Sequence, residues 1–167
     1  KADIGTKISK GDIIAVDTGN GYLRVIKVSD SGGSVTSMVS NLGPYIAGAS
    51  RLAIFENKIY VVSYTWSSTS KMYECGGVYE VDMAESSPSA KLLIQKENMS
   101  ESCLPYAVDV LVNNENVYLL GAQKSEATEL RFYNRNTGAY KGVYPGTGVS
   151  YGRSLEWASG GNIIVGS

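Results

Sequence analysis

The chain has 167 residues and a formal net charge of −1, so it lacks the basic excess that nucleic-acid binding requires. Apolar residues make up 43% of the sequence and charged residues 19%, a balance that favours one folded domain with a sizeable core. No apolar run approaches the roughly eighteen residues that a membrane-spanning helix needs, and we predict no membrane span.

One short apolar phrase recurs four times along the chain. It reads Gly11-Asp-Ile-Ile-Ala-Val16, Asn57-Lys-Ile-Tyr-Val-Val62, Asn116-Val-Tyr-Leu-Leu120 and Gly161-Asn-Ile-Ile-Val165. The aligned positions Ile13, Ile59, Val117 and Ile163 are separated by 46, 58 and 46 residues. Such a period indicates one supersecondary unit copied along the sequence.

Each repeat predicts a short series of strands. A half-apolar segment and a polar turn precede three of the phrases, at 51–57, 108–116 and 153–161, which predicts a β-hairpin. An alternating run follows the first three phrases, at 22–28, 77–82 and 129–133, which predicts a strand with one buried face. A weaker fourth run lies near 35–39, 91–94 and 140–144. Four antiparallel strands per repeat are typical of a β-propeller blade.

We therefore predict an all-β fold, a propeller-like array of four-stranded antiparallel blades within one domain over residues 1–167. The blade equivalents are 11–51, 52–109 and 110–154, and 155–167 opens the next. Three blades are too few to close a ring, so we expect an excerpt of a longer propeller, or missing blades supplied by a second copy. A sandwich built from the same hairpins stays open as an alternative.

The middle repeat is longer than the others because of twelve residues between its second and third strands, at Thr65–Gly76. We interpret this segment as a tolerated surface loop. Insertions in repeat proteins also map to binding faces, and that alternative stays open.

The first repeat resembles an NHL-type repeat, whose units carry an acidic-glycine-asparagine turn between two apolar strands. Asp17, Gly19, Asn20 and Arg24 match this pattern, whereas the second and third repeats lack the turn. The segment Asn134-Arg-Asn-Thr-Gly138 is more similar to the turn of YVTN or quinoprotein-type propellers. The resemblance implies a propeller scaffold, on which known functions range from protein or glycan recognition to lyase and lactonase chemistry.

The chain contains no histidine. This absence excludes Ser-His-Asp and Cys-His catalysis and histidine-based metal sites from these residues, and two cysteines are too few for an all-thiolate zinc site. We interpret Asp17, Asp82 and Asp109 as makers of turn or strand-edge hydrogen bonds rather than as calcium ligands. We predict no catalytic residue, no metal site and no cofactor.

Cys75 and Cys103 form an even pair, which fits one disulfide in an oxidising compartment. Two buried free thiols in a cytosolic protein stay open as the alternative. Asn98 begins a glycosylation sequon in the same loop as Cys103. Together with the low charge, these features favour a secreted or cell-surface glycoprotein.

Aromatic residues supply the predicted binding site. The candidates are three tyrosines at matching positions at the start of the innermost strands, the arginines that follow two of them and the tryptophan of the insertion: Tyr45, Tyr106, Tyr151, Arg51, Arg153 and Trp66. These residue types are enriched at recognition hot spots, although the tyrosines would equally serve to pack between blades.

We expect a noncatalytic recognition or structural module that binds a protein or glycan through an aromatic loop face. The alternative is part of a propeller enzyme, of the lyase, lactonase or quinoprotein type, whose catalytic residues lie in blades outside this sequence.

Overall fold

A computed structural model describes residues 13–17, 24–28, 35–39, 48–69, 72–86, 88–95, 106–122, 128–144, 152 and 154–166 of the chain. Side chains are described at 51–63, 68–69, 77–86, 88–95, 109–121, 129–144, 152 and 154–166.

The described strands form four antiparallel sheets in which chain neighbours are sheet neighbours. Sheet I contains β1 (Ile13–Asp17), β2 (Arg24–Val28) and β3 (Val35–Val39). Sheet II contains β4 (Gly48–Phe55), β5 (Lys58–Ser67), β6 (Met72–Asp82) and β7 (Ala90–Ile94). Sheet III contains β8 (Tyr106–Val112), β9 (Asn116–Ala122), β10 (Thr128–Asn134) and β11 (Tyr140–Tyr144), and sheet IV contains β12 (Ser154–Trp157) and β13 (Ile163–Gly166).

The all-β prediction is confirmed, and so is the assignment of four strands to a repeat in sheets II and III. The recurring phrase forms the second strand of sheets II, III and IV, as β5, β9 and β13. Within the described residues the sheets form neither a closed barrel nor a closed propeller, so the propeller-like arrangement stays a prediction.

Asparagine side chains shape two of the hairpin turns in sheet III. The Asn113 Oδ1 atom accepts hydrogen bonds from the backbone amides of Glu115 (3.0 Å) and Asn116 (2.8 Å), which closes the turn between β8 and β9. Asn134 does the same at the start of the β10–β11 turn, where its Oδ1 atom accepts from the amides at 136 (2.9 Å) and 137 (3.0 Å). Such local bonds offer the backbone a turn instead of a continued strand.

The twelve-residue insertion is part of a long hairpin, so the predicted surface loop is wrong over most of its length. β5 and β6 continue past the ends of β9 and β10, and Thr65, Trp66 and Ser67 pair with Glu74, Tyr73 and Met72. The ladder shifts register between Ser63 and Tyr64, which marks a bulge at the base of the extension. Aromatic and β-branched residues occupy this segment, and these residue types favour extended pairing over an open loop.

Sheet III lies between sheets II and IV, with one face against each. Its residues Val110, Val112, Val117, Leu119 and Tyr133 join a buried cluster with sheet II. The alternate residues Tyr118, Leu120 and Leu130 join a second buried cluster with Leu155 of sheet IV. The expectation of one buried face is therefore wrong for β10, because Arg131 and Tyr133 on its other face are 7% and 0% exposed.

The first strands of successive sheets lie side by side. β4 contacts β8, and β8 contacts β12, while β1 makes a smaller contact with β4. Both β4 and β8 carry a register shift near their starts, after Ala49 and Ala107 respectively, so the two sheets repeat the same local geometry. Sheets II, III and IV are therefore in contact along their first strands, and any cleft between them lies towards their later strands.

A candidate binding cleft between sheets III and IV

A cleft of about 490 Å³ separates the outer half of sheet III from sheet IV. Leu130 on β10 and Tyr144 on β11 form one wall, and Ile163 and Val165 on β13 form the other. The lining also includes Tyr118, Gly161 and Asn162. Its size falls within the range of small-ligand pockets, and polar and apolar atoms contribute about equally to its surface.

Aromatic rings cover the sheet III side of the cleft. Phe132 lies between Tyr118 and Tyr144, with ring centroids 6.3 Å and 5.0 Å from its own. Trp157 of β12 meets the Tyr118 ring edge-on at 5.7 Å. Tyr144 is 47% exposed, so a large part of this aromatic surface is accessible to a partner.

A glycine makes room for the central ring of this group. Phe132 is paired with Gly142 across the β10–β11 ladder. A Cβ atom at position 142 would stand 3.0 Å from two ring carbons of Phe132, so any other residue would push the ring aside. The Phe132–Tyr144 arrangement therefore depends on the absence of a side chain at Gly142.

Polar side chains fix the ring of Tyr118 at one end of the aromatic group. Asn116 and Asn113 each donate an amide hydrogen to the Tyr118 hydroxyl, at 3.0 Å and 3.4 Å. The Lys141 ammonium donates to the Asn116 Oδ1 atom at 2.6 Å and lies 5.9 Å from the centre of the Phe132 ring. This network holds the aromatic wall in place and brings one positive charge near it.

The backbone of β13 offers hydrogen-bonding groups along the same cleft. In the described part of the chain, β13 pairs with β12 alone. The Ala158 amide donates to the Asn162 carbonyl at 2.8 Å. This bond shows which residues of β13 direct their backbone groups towards β12 and which direct them away. Because inward and outward groups alternate along an antiparallel strand, the N–H and C=O groups of Ile163 and Val165 point away from β12.

Asp109 ties the two sides of the cleft together at the first strands. Its carboxylate accepts a hydrogen bond from the Leu155 amide at 2.7 Å and another from the Val110 amide at 2.9 Å. The interpretation of Asp109 as a strand-edge hydrogen-bond acceptor is thus confirmed. Asp82 accepts from the Ala84 amide at 2.9 Å, which confirms its turn role, and the side chain of Asp17 lies outside the described residues.

A smaller cleft of about 280 Å³ runs along the first strands β4, β8 and β12. Asp109, Leu155 and Trp157 belong to its lining together with apolar residues of β4. Arg51, the predicted binding residue in β4, is exposed and is not part of this lining.

The interface between sheets II and III, in contrast, is filled by side chains. Burial is the main cause that raises the pKa of Tyr60 to about 12, and the nearby Glu80 carboxylate acts in the same direction, against the hydrogen bond from Arg135. The Arg135 guanidinium also stacks on the Phe55 ring at 4.9 Å. Burial likewise raises the pKa of Tyr79, on the opposite face of sheet II.

Arg131 is the buried charge of this filled interface. Burial alone would lower its pKa, but the hydrogen bond and charge of Glu129 raise the pKa on balance. The Arg131 Nε and Nη2 atoms donate to one carboxylate oxygen of Glu129 at 2.9 Å and 2.7 Å. The charge is thus satisfied within β10, as a buried ion requires.

Of the six predicted binding residues, only Arg51 has a described side chain, and it is not among the described residues that line the main cleft. Tyr106 is the first residue of β8, opposite Ala122, and Trp66 lies opposite Tyr73 in the β5–β6 extension, but the described side chains exclude both. Tyr45, Tyr151, Arg153, Cys103 and Asn98 lie outside the described residues, and Cys75 is described only through its pairing with Tyr64 in the ladder.

The ladder also corrects one expected equivalence. Arg51 pairs with Val62 and Asp109 with Leu120, and these partners hold the same place in the recurring phrase. Both strands have a bulge just before these residues, and beyond it Gly48 pairs with Tyr64 and Tyr106 with Ala122. The residue of β4 equivalent to Tyr106 is therefore Gly48 and not Tyr45.

Sequence reasoning missed the aromatic group beside the cleft, in which Tyr118 and Tyr144 belong to the lining while Phe132 and Trp157 pack against Tyr118. The signal for them lies in the register: Phe132 is opposite Tyr118 on one side, and Leu130, two residues before it, is opposite Tyr144 on the other. A tyrosine-rich repeat whose aromatic residues alternate in three consecutive strands places them on one face.

Among the described residues, no three histidine, cysteine or carboxylate side chains come together as a metal-binding group. No helix in the same part of the chain is long and apolar enough to span a membrane. In comparisons with known proteins, no family model matches the chain and no curated protein gives a significant match. The resemblance to an NHL-type repeat therefore stays a prediction.

Proposed function

We propose that the chain is a noncatalytic recognition module that binds a partner protein in the cleft between sheets III and IV. The observation that carries this proposal is the cleft itself, in which an exposed tyrosine faces an apolar strand across a space of about 490 Å³. Exposed tyrosines beside a pocket are common anchors of protein recognition.

The lining favours a polypeptide over a glycan as the occupant. Among the described lining residues, Leu130, Ile163 and Val165 are apolar, and Asn162 carries an amide side chain. An extended polypeptide can match both the polar and the apolar parts of this surface, whereas a sugar brings little apolar surface to bury against Leu130, Ile163 and Val165. A glycan is therefore the second outcome that a binding experiment has to distinguish.

The scaffold in this proposal is a propeller-like array. Three features support it: the strands of each sheet follow chain order, the first strands of successive sheets lie together, and sheet III packs face to face with both neighbours. Successive blades of a propeller share these features. Small-angle scattering of the chain should then give the profile of a wedge of stacked sheets, and the profile of a two-layer sandwich would contradict the array.

The test of recognition uses two tyrosines of β11 as a matched pair. Tyr144 and Tyr140 are both 47% exposed, but the register shift between Phe132 and Tyr133 turns them to opposite faces of sheet III. Peptides selected from a displayed random library on the wild-type chain should lose at least about tenfold in affinity on Tyr144→Ala, because the variant removes a hot-spot ring. They should keep their affinity on Tyr140→Ala.

Binding of selected peptides that ignores Tyr144→Ala would place recognition elsewhere on the chain. A glycan array probed with the same three proteins separates the second outcome. Tyr144-dependent binding to glycans without binding to peptides would overturn the choice of a protein partner.

The proposal also places the protein outside the cell, with a Cys75–Cys103 disulfide. The cysteine pair and the Asn98 sequon support this location. Alkylation of the denatured chain without a reductant, followed by intact-mass measurement, should leave both cysteines unmodified. Two added alkyl groups would contradict the disulfide.

A further inference from the structure

We propose that backbone bulges in the outer strands of the sheets prevent these strands from pairing with a second copy of this chain. The outer strands are β3, β7 and β11, and within the described residues each of them pairs on one side alone. The other side of such a strand carries N–H and C=O groups that act as a template for further pairing. This inference concerns the rim of the sheets and does not depend on the cleft between sheets III and IV.

A register shift is present in every ladder that an outer strand makes. In sheet I the shift between Val25 and Ile26 leaves Met38 of β3 without an opposite residue. The corresponding extra residue is Leu93 in β7 and Lys141 in β11. Each outer strand thus has one residue more than the strand it pairs with, which defines a β-bulge.

The bulges are concentrated at the edges of the sheets. The middle strands of sheet III, β9 and β10, pair from Asn116 to Ala122 without a shift. Those of sheet II, β5 and β6, pair regularly from Lys58 to Ser63, and their one shift lies at the base of the extension. The opposite edge strands, β4 and β8, are shifted as well. Bulges bend a strand and increase its twist, so this placement disturbs the edges and spares the centre of each sheet.

The residues of β11 show why its edge needs such protection. Tyr140 is 47% exposed, Val143 39% and Tyr144 47%, and Lys141 is the only charged residue of the strand. Aromatic and β-branched residues favour extended pairing. A flat, regular edge strand with these exposed side chains would be a site of aggregation.

The bulge interrupts the outer edge of β11 within the strand itself. Tyr140 and Gly142 have opposite residues in β10, and Lys141 between them has none. The pattern of backbone groups along an incoming strand repeats every two residues, so the strand cannot match both sides of the extra residue. The regular run that remains, 142–144, is shorter than a usual strand of about five or six residues.

The charge of Lys141 lies over the face of sheet III and not along its edge. The ammonium group donates to the Asn116 Oδ1 atom at 2.6 Å and lies 5.9 Å from the centre of the Phe132 ring. Asn116 belongs to β9, two strands away from the outer edge. The protecting feature is therefore the backbone of the bulge, and mutation can separate it from the charge.

Deletion of Lys141 tests the bulge directly, because it leaves a regular ladder with Tyr140 still opposite Tyr133 and Gly142 still opposite Phe132. Sedimentation equilibrium of the full chain should show a monomeric wild type. The deletion variant should have an average mass at least about twofold higher, through pairing of its regular edges. The matched control is Lys141→Ala, which loses the charge but keeps the extra residue, and it should sediment as the wild type does.

Slow amide hydrogen exchange at Val117 in the centre of sheet III shows that a variant is folded. A folded deletion variant that stays monomeric would overturn the proposal. Association of Lys141→Ala to the same extent would also overturn it, because the charge would then be the protecting feature. Slow exchange of every β11 amide in the wild type would contradict an unpaired edge. If deletion of Lys141 unfolds the chain, deletion of Met38 applies the same test to the bulge of β3, with a monomeric result again decisive against the proposal.

Discussion

The two faces of sheet III meet their neighbours in different ways. Towards sheet II, ten buried residues from both sheets pack into one cluster that includes the outer strands β6, β7 and β10. Towards sheet IV, four buried residues form a smaller cluster, and the outer strands of sheet III face a cleft. The filled interface lies against a sheet of four described strands, and the open one against a sheet of two.

Two glycines show the contrast at the level of the backbone. Gly138 and Gly161 have nearly the same positive φ, 70° and 79°. A Cβ atom at Gly138 would collide with the Leu93 carbonyl oxygen of sheet II, whereas one at Gly161 would meet no atom within 4 Å. The cost of placing alanine in the left-handed backbone conformation is the same at both positions. A difference in stability between the two alanine variants therefore measures how tightly each interface is packed.

The largest expected effect is that of Gly138→Ala. The left-handed backbone and the collision with Leu93 should together lower the free energy of unfolding by about 3–4 kcal/mol. Gly161→Ala carries only the backbone cost and should lower it by about 1–2 kcal/mol. Urea unfolding followed by circular dichroism measures both variants, and equal losses would show that the two interfaces are equally open.

Asp109→Ala should have the next largest effect, because it removes the hydrogen bond from the Leu155 amide that links β12 to β8. Two backbone amides lose a carboxylate acceptor, and we expect a loss of about 2–3 kcal/mol in unfolding free energy. Asp82→Ala removes a more exposed turn acceptor and should cost no more than about 1 kcal/mol. An Asp109→Ala variant as stable as Asp82→Ala would remove Asp109 as the link between sheets III and IV.

The pH dependence of stability sharpens the description of the filled interface. Tyr60 has a pKa of about 12 in the folded chain against 10.0 when unfolded, so the folded state holds the phenolic proton more tightly. The stabilisation is complete below pH 10 and is lost as the pH rises from 10 to 12, by about 2 kcal/mol. Tyr60→Phe should show a shallower fall in this window than the wild type, as measured by urea unfolding at each pH.

Tyr140→Phe serves as the control for that measurement, because Tyr140 is exposed on the edge of sheet III. It should keep the fall seen in the wild type. If Tyr60→Phe and the wild type fell in parallel between pH 10 and 12, burial of Tyr60 in the interface would be contradicted.

The smallest expected stability effect is that of Tyr144→Ala at the open interface. Its ring contacts Phe132 but is nearly half exposed, so we expect a loss of at most about 1 kcal/mol. Thermal unfolding of this variant beside Tyr140→Ala measures it. A loss as large as that of Gly138→Ala would indicate that Tyr144 is a core residue rather than a binding residue.

Much of the fold could be predicted from the sequence because strand periodicity is a local property. The recurring phrase identifies β5, β9 and β13, and the turn-forming Asn113 and Asn134 mark hairpins by bonds to their own backbone. The sequence predicts a loop for the β5–β6 extension because polar serines and threonines hide its alternating aromatic residues. The secondary structure of that segment depends on its pairing partners and not on its local composition.

The candidate site could not be predicted in the same way, since it depends on register between strands that are far apart in sequence. Tyr118, Phe132 and Tyr144 come together because the β9–β10 and β10–β11 ladders align them on one face. The bulge at Phe132/Tyr133 then separates Tyr140 from Tyr144, although the two tyrosines are four residues apart on one strand. A period-two reading without the bulge would place them on the same face.

Amide hydrogen exchange of the unliganded chain tests the difference between the two interfaces most directly. Val117 and Ile163 hold equivalent places, but β9 has a neighbour on both sides and β13 is paired with β12 alone among the described strands. The amides of Val117 and Leu119 should exchange slowly, and those of Ile163 and Val165 at least about a hundredfold faster. Equal protection at all four amides would show that the edge of β13 is already covered, and would contradict an open cleft between sheets III and IV.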